Sequence, residues 1–261
     1  MMRRWLTCLV VLGLPTRWKP ALLTALGHRV HRRARIRCSL VLADRLMLGA
    51  DASIGRFNLL ACRRIVMRPG AAIGSLNMVR GPLDLWLDTR AAIGHRNVIT
   101  RARHPVSYGA AQLRLGELSK LTSGHHVDCM QSVRLGRFST IAGLGSQLWT
   151  HGYAHASTGR NRARIDGRIR IGDNVYVGSH CCLSAGITIA DAVTIGGHSS
   201  VAGDLLAPGL YVSQPLRHLP YVPFEQLDRL ARLPDAGLVE PVYWKGRAQP
   251  RAAAAHVRRV Q

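Results

Sequence analysis

Residues Ile165 to Val201 read IDGRIR-IGDNVY-VGSHCC-LSAGIT-IADAVT-IGGHSS-V, and their spacing decides the fold. Every sixth residue is aliphatic: Ile165, Ile171, Val177, Leu183, Ile189, Ile195 and Val201. The residue after each is mostly small, as at Gly172, Gly178, Ser184, Ala190, Gly196 and Ala202. A period of six fits neither an amphipathic helix nor a simply alternating strand. It fits a hexapeptide solenoid, in which six residues make one short strand and one corner and three edges close a triangular coil. The aliphatic side chain fills a narrow core, and the small residue lets the backbone turn.

The register extends back towards the N-terminus. Its inward triplets are Leu48/Ile54/Leu60, Met67/Ile73/Val79, Leu87/Ile93/Ile99, Leu115/Leu121/Val127, Leu135/Ile141/Gln147, Ile171/Val177/Leu183 and Ile189/Ile195/Val201. Only Gln147 among them is neither aliphatic nor Met. Spacing within each triplet is six, so every extra residue is expected between the third strand of one coil and the first of the next. Seven such coils predict a column of roughly 34 Å. Asn58, Asn77 and Asn97 recur at one corner, where Asn tolerates left-handed backbone angles and stacked amides can form a ladder. Two excursions are long enough to carry a site: 100–112, with His104 and Tyr108, and 150–164, with His151, Tyr153 and His155.

Composition agrees with a thin core. Apolar residues make up 47% of the 261, while aromatics make up only 5%. The formal charge of +22 is almost wholly arginine, since lysine occurs only at Lys19, Lys120 and Lys245. Such charge favours polyanions or an anionic surface as partners, or reflects a composition that writes Arg at tolerant surface sites. Six cysteines without C-x-x-C spacing indicate neither a zinc knuckle nor a redox pair, and point to a reducing, cytoplasmic compartment.

Three regions follow: 1–35, helical and basic; 36–220, the solenoid; and 221–261, a C-terminal helix and a partly disordered tail. Arg3-Arg4 before an apolar run resembles a signal peptide, but Pro15-Thr16-Arg17-Trp18-Lys19 follows instead of a small-residue cleavage site. The run is also too short to span a bilayer. A helix lying on an anionic inner membrane face and a helix capping the solenoid are both open. Phe224, Leu227, Leu230 and Leu233 have helical spacing.

Gln147-Leu148-Trp149-Thr150-His151-Gly152, followed by Ile171-Gly172-Asp173-Asn174-Val175-Tyr176-Val177-Gly178-Ser179-His180, resembles the left-handed β-helix acyltransferases of the maltose and galactoside O-acetyltransferase type. The sugar O-acetyltransferases of bacterial polysaccharide biosynthesis are more similar still, over about residues 36–220. The resemblance implies an all-β, left-handed parallel β-helix, assembled as a homotrimer with sites between subunits. It also implies acetyl-CoA as cosubstrate, a sugar or glycan acceptor and no metal.

Carried over by motif, His151 would be the general base, a role suited to a group that titrates near neutrality. Ser179 and Gly197 would meet the pantetheine arm, Ala202 and Gly203 would follow, and Arg217 would face the phosphates. Two departures stand out. Ala202-Gly203 replaces the usual Thr-Lys, and Ser213-Gln214-Pro215 the usual Gly-Asn-Pro. The Asn that often orients the base is also missing, leaving His125, His126 and Asp128 as candidates. Stacking of coils is expected to put Gln131 beneath His151, while Trp149 and Tyr153 are further candidates for contact with substrate.

Other readings compete. A non-catalytic β-helix scaffold with a degenerate site would explain the missing Lys and Asn. A γ-type carbonic anhydrase would need three zinc-binding histidines, and no third ligand has the spacing to join His151 and His155. His180 and His198 are expected to stack at one outward corner. Nucleic-acid binding would rest on charge alone, without interleaved aromatics, and is not expected.

Overall fold

Three parallel sheets of eight, nine and eight strands form the three faces of a column. The computed structural model describes residues 2–213, 227–233 and 241–245 of the chain. Down the first face, Val30, Leu48, Met67, Leu87, Leu115, Leu135, Ile171 and Ile189 stand in register, one per coil. These side chains and their equivalents on the other two faces make one continuous apolar core. Their burial is the main stabilising term, at about 1.5–3 kcal/mol for each large aliphatic side chain.

The column holds eight coils rather than seven, which at this spacing gives about 38 Å. The additional coil is Val30/Ile36/Val41, paired to Leu48/Ile54/Leu60. Its last edge has five residues instead of six, so a strict period passes over it. A ninth turn begins at Leu205, bridged to Ile189 on the first face, and continues in the strand Gly209–Tyr211 on the second.

The sixth coil differs from its expected register by one residue. Leu148, not Gln147, pairs with Val127 below and Leu183 above. Leu148 is buried and Gln147 is exposed. The extra residue lies at the corner between Ile141 and Leu148, so insertions do not all leave from one edge. Gly143 and Gly145, both at positive φ (63° and 76°), accommodate it. A Cβ on Gly143 would lie 1.7 Å from Ser179 Oγ, and one on Gly145 would lie 2.4 Å from His180 Nδ1.

Most corners elsewhere adopt the left-handed conformation without glycine, although Gly70, Gly124 and Gly186 also do so at positive φ. Among the described residues eleven non-glycine residues are left-handed, including Phe57, Leu76 and Arg96 at equivalent places. Each costs about 1 kcal/mol. The turn brings each amide onto a carbonyl of the coil below, as in Phe57 N to Cys38 O at 2.7 Å. Inside the same edge runs the expected ladder, and it is longer than the three asparagines. Asn77 and Asn97 each donate to the Oδ1 of the Asn below, His125 N donates to Asn97 Oδ1, and Ser146 N donates to His125 Nδ1.

The N-terminal segment holds helices α1 (Met2–Gly13) and α2 (Lys19–Ala25), followed directly by the first strand of the column. Thr7, Cys8 and Val11 of α1 face inward. Thr7 Oγ1 lies 2.7 Å from His28 Nε2, and Arg4 pairs with Asp44. The opposite face of α1 leaves Met2, Trp5, Leu6, Leu9 and Leu12 exposed.

The second long excursion is a β-hairpin rather than a loop. His151–His155 pairs antiparallel with Arg162–Asp166, which places Ile165 opposite Gly152. Ile165 is therefore outside the column, although it falls on the six-residue period. Val242–Trp244 adds to the hairpin as a parallel strand, and Ala231–Leu233 pairs with Val242–Trp244. The helix expected over 224–233 is, in its described part, a 3-10 turn at Leu227–Arg229 and then this strand; Phe224 lies outside the described residues. Within the C-terminal region 221–261, the strand at 242–244 packs inward, with Val242 and Trp244 buried.

Candidate active site

His151 opens the hairpin at the edge where the third face meets the first. The strand Gln147–Leu148 ends there, Thr150 turns inward and is buried, and His151 begins the outgoing strand. Its Nδ1 lies 2.9 Å from Asp128 Oδ2, on the coil below. The carboxylate also accepts Thr150 N at 3.2 Å and Thr150 Oγ1 at 2.8 Å. These bonds orient the imidazole: Nδ1 donates to the Asp128 carboxylate, which leaves Nε2 as the ring nitrogen not engaged by it. The His151 side chain is 25% exposed and the Asp128 side chain 7%. Burial pushes the Asp128 carboxyl up, but the bonds from His151 and Thr150 together outweigh it and hold it below the ordinary carboxylate range.

A cleft of about 390 Å³ lies against this imidazole. Trp149 and Tyr153 border it beside His151, Ser184 and Ala202 come from the next two coils, and Lys245 closes it from the C-terminal segment. Tyr153 packs edge-on to His151, with centroids 6.1 Å apart. Trp149 stacks on His126 at 5.1 Å, so His126 supports the rim of the cleft rather than the base. Lys245 Nζ donates to the Ala202 carbonyl at 2.6 Å.

The chain is a left-handed parallel β-helix of hexapeptide repeats. No protein-family model matches it, and no curated protein matches it as a relative. Among solved structures it is similar to the polySia-specific acetyltransferase NeuO, with 17% sequence identity, a TM-score of 0.40, and coverage of 66% of this chain and 77% of that chain. The chemistry open to the β-helix follows from its own residues.

Of the four candidates for a partner to His151, Asp128 is the one in contact. His125 is instead a rung of the internal ladder: Nδ1 accepts Ser146 N at 3.1 Å, and Nε2 lies 2.9 Å from Thr122 Oγ1. Burial depresses its pKa to about 4, which keeps it neutral. Gln131 touches the site through its backbone, donating N–H to Thr150 Oγ1 at 2.9 Å, while its side chain turns to Asp166. The one-residue shift of the sixth coil explains the difference, since it moves His151 off the position above Gln131.

The coenzyme candidates divide. Ala202 lines the His151 cleft, and Gly203 beside it has open space around its Cα. Ser179 and Gly197 sit one above the other at the corner between the second and third faces, at the far end of the third-face strands from His151. His180 and His198 stack at that corner with centroids 5.0 Å apart. Arg217 lies outside the described residues. Among the described residues, no group of three His, Cys, Asp or Glu could hold a metal ion.

Behind the cleft is a polar network that the sequence reading did not find. Asp166 and Arg164, both essentially buried, form a 2.7 Å ion pair. Tyr108 OH donates to Asp166 at 2.6 Å, and Arg164 Nη1 donates to the Val106 carbonyl at 2.7 Å. Burial, then the Asp166 charge, pushes the Tyr108 phenol far up, so it stays a donor. The two long excursions are thereby fastened together, and the hairpin carrying His151 rests on a fixed support. Lys245 has no comparable signal in the sequence, since Val242-Tyr243-Trp244 before it carries neither the six-residue period nor an alternation of polar and apolar residues.

Proposed function

We propose that this β-helix is an acyltransferase that moves an acetyl group from acetyl-CoA to a hydroxyl of a sugar or glycan precursor. The observation that carries the reading is the Asp128–His151 pair at the lining of a cleft. In this mechanism Nε2 of His151 takes the proton from the acceptor hydroxyl as its oxygen bonds to the thioester carbonyl carbon. The C–S bond then breaks, and His151 returns the proton to the departing thiolate. Asp128 holds the tautomer and offsets the positive charge that His151 carries between the two transfers. Lys245 brings an ammonium to the cleft despite the Ala202-Gly203 pair, which suits an anionic donor.

Two finer readings accompany it. His151 and the Ser179/Gly197 corner lie at opposite ends of the third face, so a site that uses both requires two copies. This favours the homotrimer with its sites between subunits. Among the described residues no helix is long and apolar enough to cross a membrane. The exposed apolar stripe of α1, with Trp5 56% and Leu9 63% exposed, favours peripheral contact with the anionic inner face of the plasma membrane. The cysteines are free, which agrees with a reducing cytoplasm.

The deciding experiment is acetyl transfer from acetyl-CoA to a panel of sugars by wild type and His151→Ala. The variant should lose nearly all of the rate while keeping the melting temperature. Equal turnover in the two would overturn the assignment of the base, and absence of coenzyme binding by calorimetry would overturn the reaction.

A further inference from the structure

The first face carries arginines in register on its outer side. Arg114 stands opposite Arg134, and Arg134 opposite Arg170, on three successive coils. Parallel pairing holds such rows about 4.8 Å apart, and like charges directly opposed are destabilising. Arg114 is relieved by Asp88 at 3.0 Å. Arg134 and Arg170 have no carboxylate within ion-pair distance among the described residues, nor does Arg168 two residues before Arg170. A cleft of about 490 Å³ lies over this part of the face, bordered by Arg63, Arg64, Arg134, Arg168 and Arg170. Its one acid, Asp84, already accepts bonds from both Arg63 and Arg64. The lining thus has a surplus of cations held close together by the backbone.

We infer that this arginine face binds an acidic polysaccharide, one whose anionic groups recur about once per sugar, and presents it to the His151 cleft. The inference rests on the acyltransferase reading for the second clause only. The Arg134 and Arg170 guanidiniums, in no ion pair among the described residues, can each grip a carboxylate through two N–H groups. The coil repeat of about 4.8 Å is close to the length of one sugar in an extended chain, so successive arginines meet successive acids.

A nucleic acid fits less well, because bases need free aromatic faces. Trp86 is already covered by Arg68 at 5.7 Å and Arg114 at 5.4 Å, and buried Trp244 lies under Arg168 at 5.2 Å. The two clefts are bordered by neighbouring residues of one stretch of chain, Ile165 at one and Arg168 at the other. The strand Arg162–Asp166 leads through Gly167 into Arg168–Arg170, and beside it Trp244 supports Arg168 while Lys245 enters the His151 cleft.

The test is equilibrium binding of fluorescent oligogalacturonate to the full chain, against neutral cello-oligosaccharide and single-stranded DNA of similar length. Oligogalacturonate should bind with an affinity that falls as salt rises, and the neutral oligomer should not bind. Arg134→Gln with Arg170→Gln should weaken binding by at least about tenfold. Arg134→Lys should recover only part of it, since lysine keeps the charge but not the fork. Unchanged binding in the double variant, equal binding of the neutral oligomer, or DNA binding as tightly as the uronate would each overturn the proposal. Because binding is measured without acetyl-CoA, failure of transfer with intact uronate binding would sink the acyltransferase reading alone.

Discussion

Asp128 Oδ2 lies 2.9 Å from His151 Nδ1, reaching across from one coil of the column to the next. Twenty-three residues separate them in the chain, and the stacking of coils brings them together. The buried carboxylate sets which imidazole nitrogen faces the cleft. Asp128→Asn should preserve the fold but present an amide where a carboxylate stood, allowing the wrong tautomer. We expect the transfer rate to fall by about 10²–10⁴-fold, with the donor KM little changed. Steady-state kinetics of the purified variant decide it, and a loss confined to KM would argue that Asp128 does not act through His151.

His125 should make the column sensitive to acid. Its folded pKa of about 4 lies below the ordinary histidine value of about 6.5, so the unfolded chain takes up the proton first. Its contribution is fully present above pH about 6.5 and is lost as pH falls towards 4, by about 3 kcal/mol at most. His125→Asn matches Asn58, Asn77 and Asn97 and should flatten this dependence. Denaturant midpoints between pH 7 and 4.5 would show it; parallel curves for the two proteins would refute the assignment.

Asp166→Ala should be far more damaging than any surface change. It leaves Arg164, 1% exposed, as a buried charge without its carboxylate, and removes the acceptor for Tyr108. A loss of about 3–5 kcal/mol is expected. Urea unfolding measures it, and a cost below about 1 kcal/mol would mean the network adapts.

Lys245→Ala tests the C-terminal wall of the cleft. We expect the KM for acetyl-CoA to rise several-fold with kcat largely kept, because a cation near an anionic donor aids binding more than chemistry. A fall in kcat alone would place Lys245 in the chemical step instead.

Trp5→Glu with Leu9→Glu introduces charge into the exposed stripe of α1 while leaving Thr7, Cys8 and Val11 in place. The wild type should sediment with vesicles containing phosphatidylserine, and the variant should remain in solution. Equal sedimentation of both would exclude α1 as the contact.

A strict six-residue period misses the two places where one residue changes the count. Val30/Ile36/Val41 was passed over because one edge is a residue short, and Leu148 was displaced by Gln147 because one corner is a residue long. Period alone tolerates neither, whereas hydrogen bonding between coils absorbs both. Gly143 and Gly145 were the available signal, as paired glycines at a corner that elsewhere manages with one small residue.

The sequence by itself determined the column, because side chains repeating every six residues can be buried together only by coiling. It also offered His151 as a candidate, through the resemblance carried by Gln147 to Gly152 rather than through the period. Only the tertiary structure chose among Asp128, His125, His126 and Gln131, since which of them meets His151 depends on stacking between coils and on that single extra residue. It alone brought Lys245 and Asp166 to the site and aligned Arg114, Arg134 and Arg170. Those groups come from different coils and from the end of the chain, and no spacing along the sequence records their meeting.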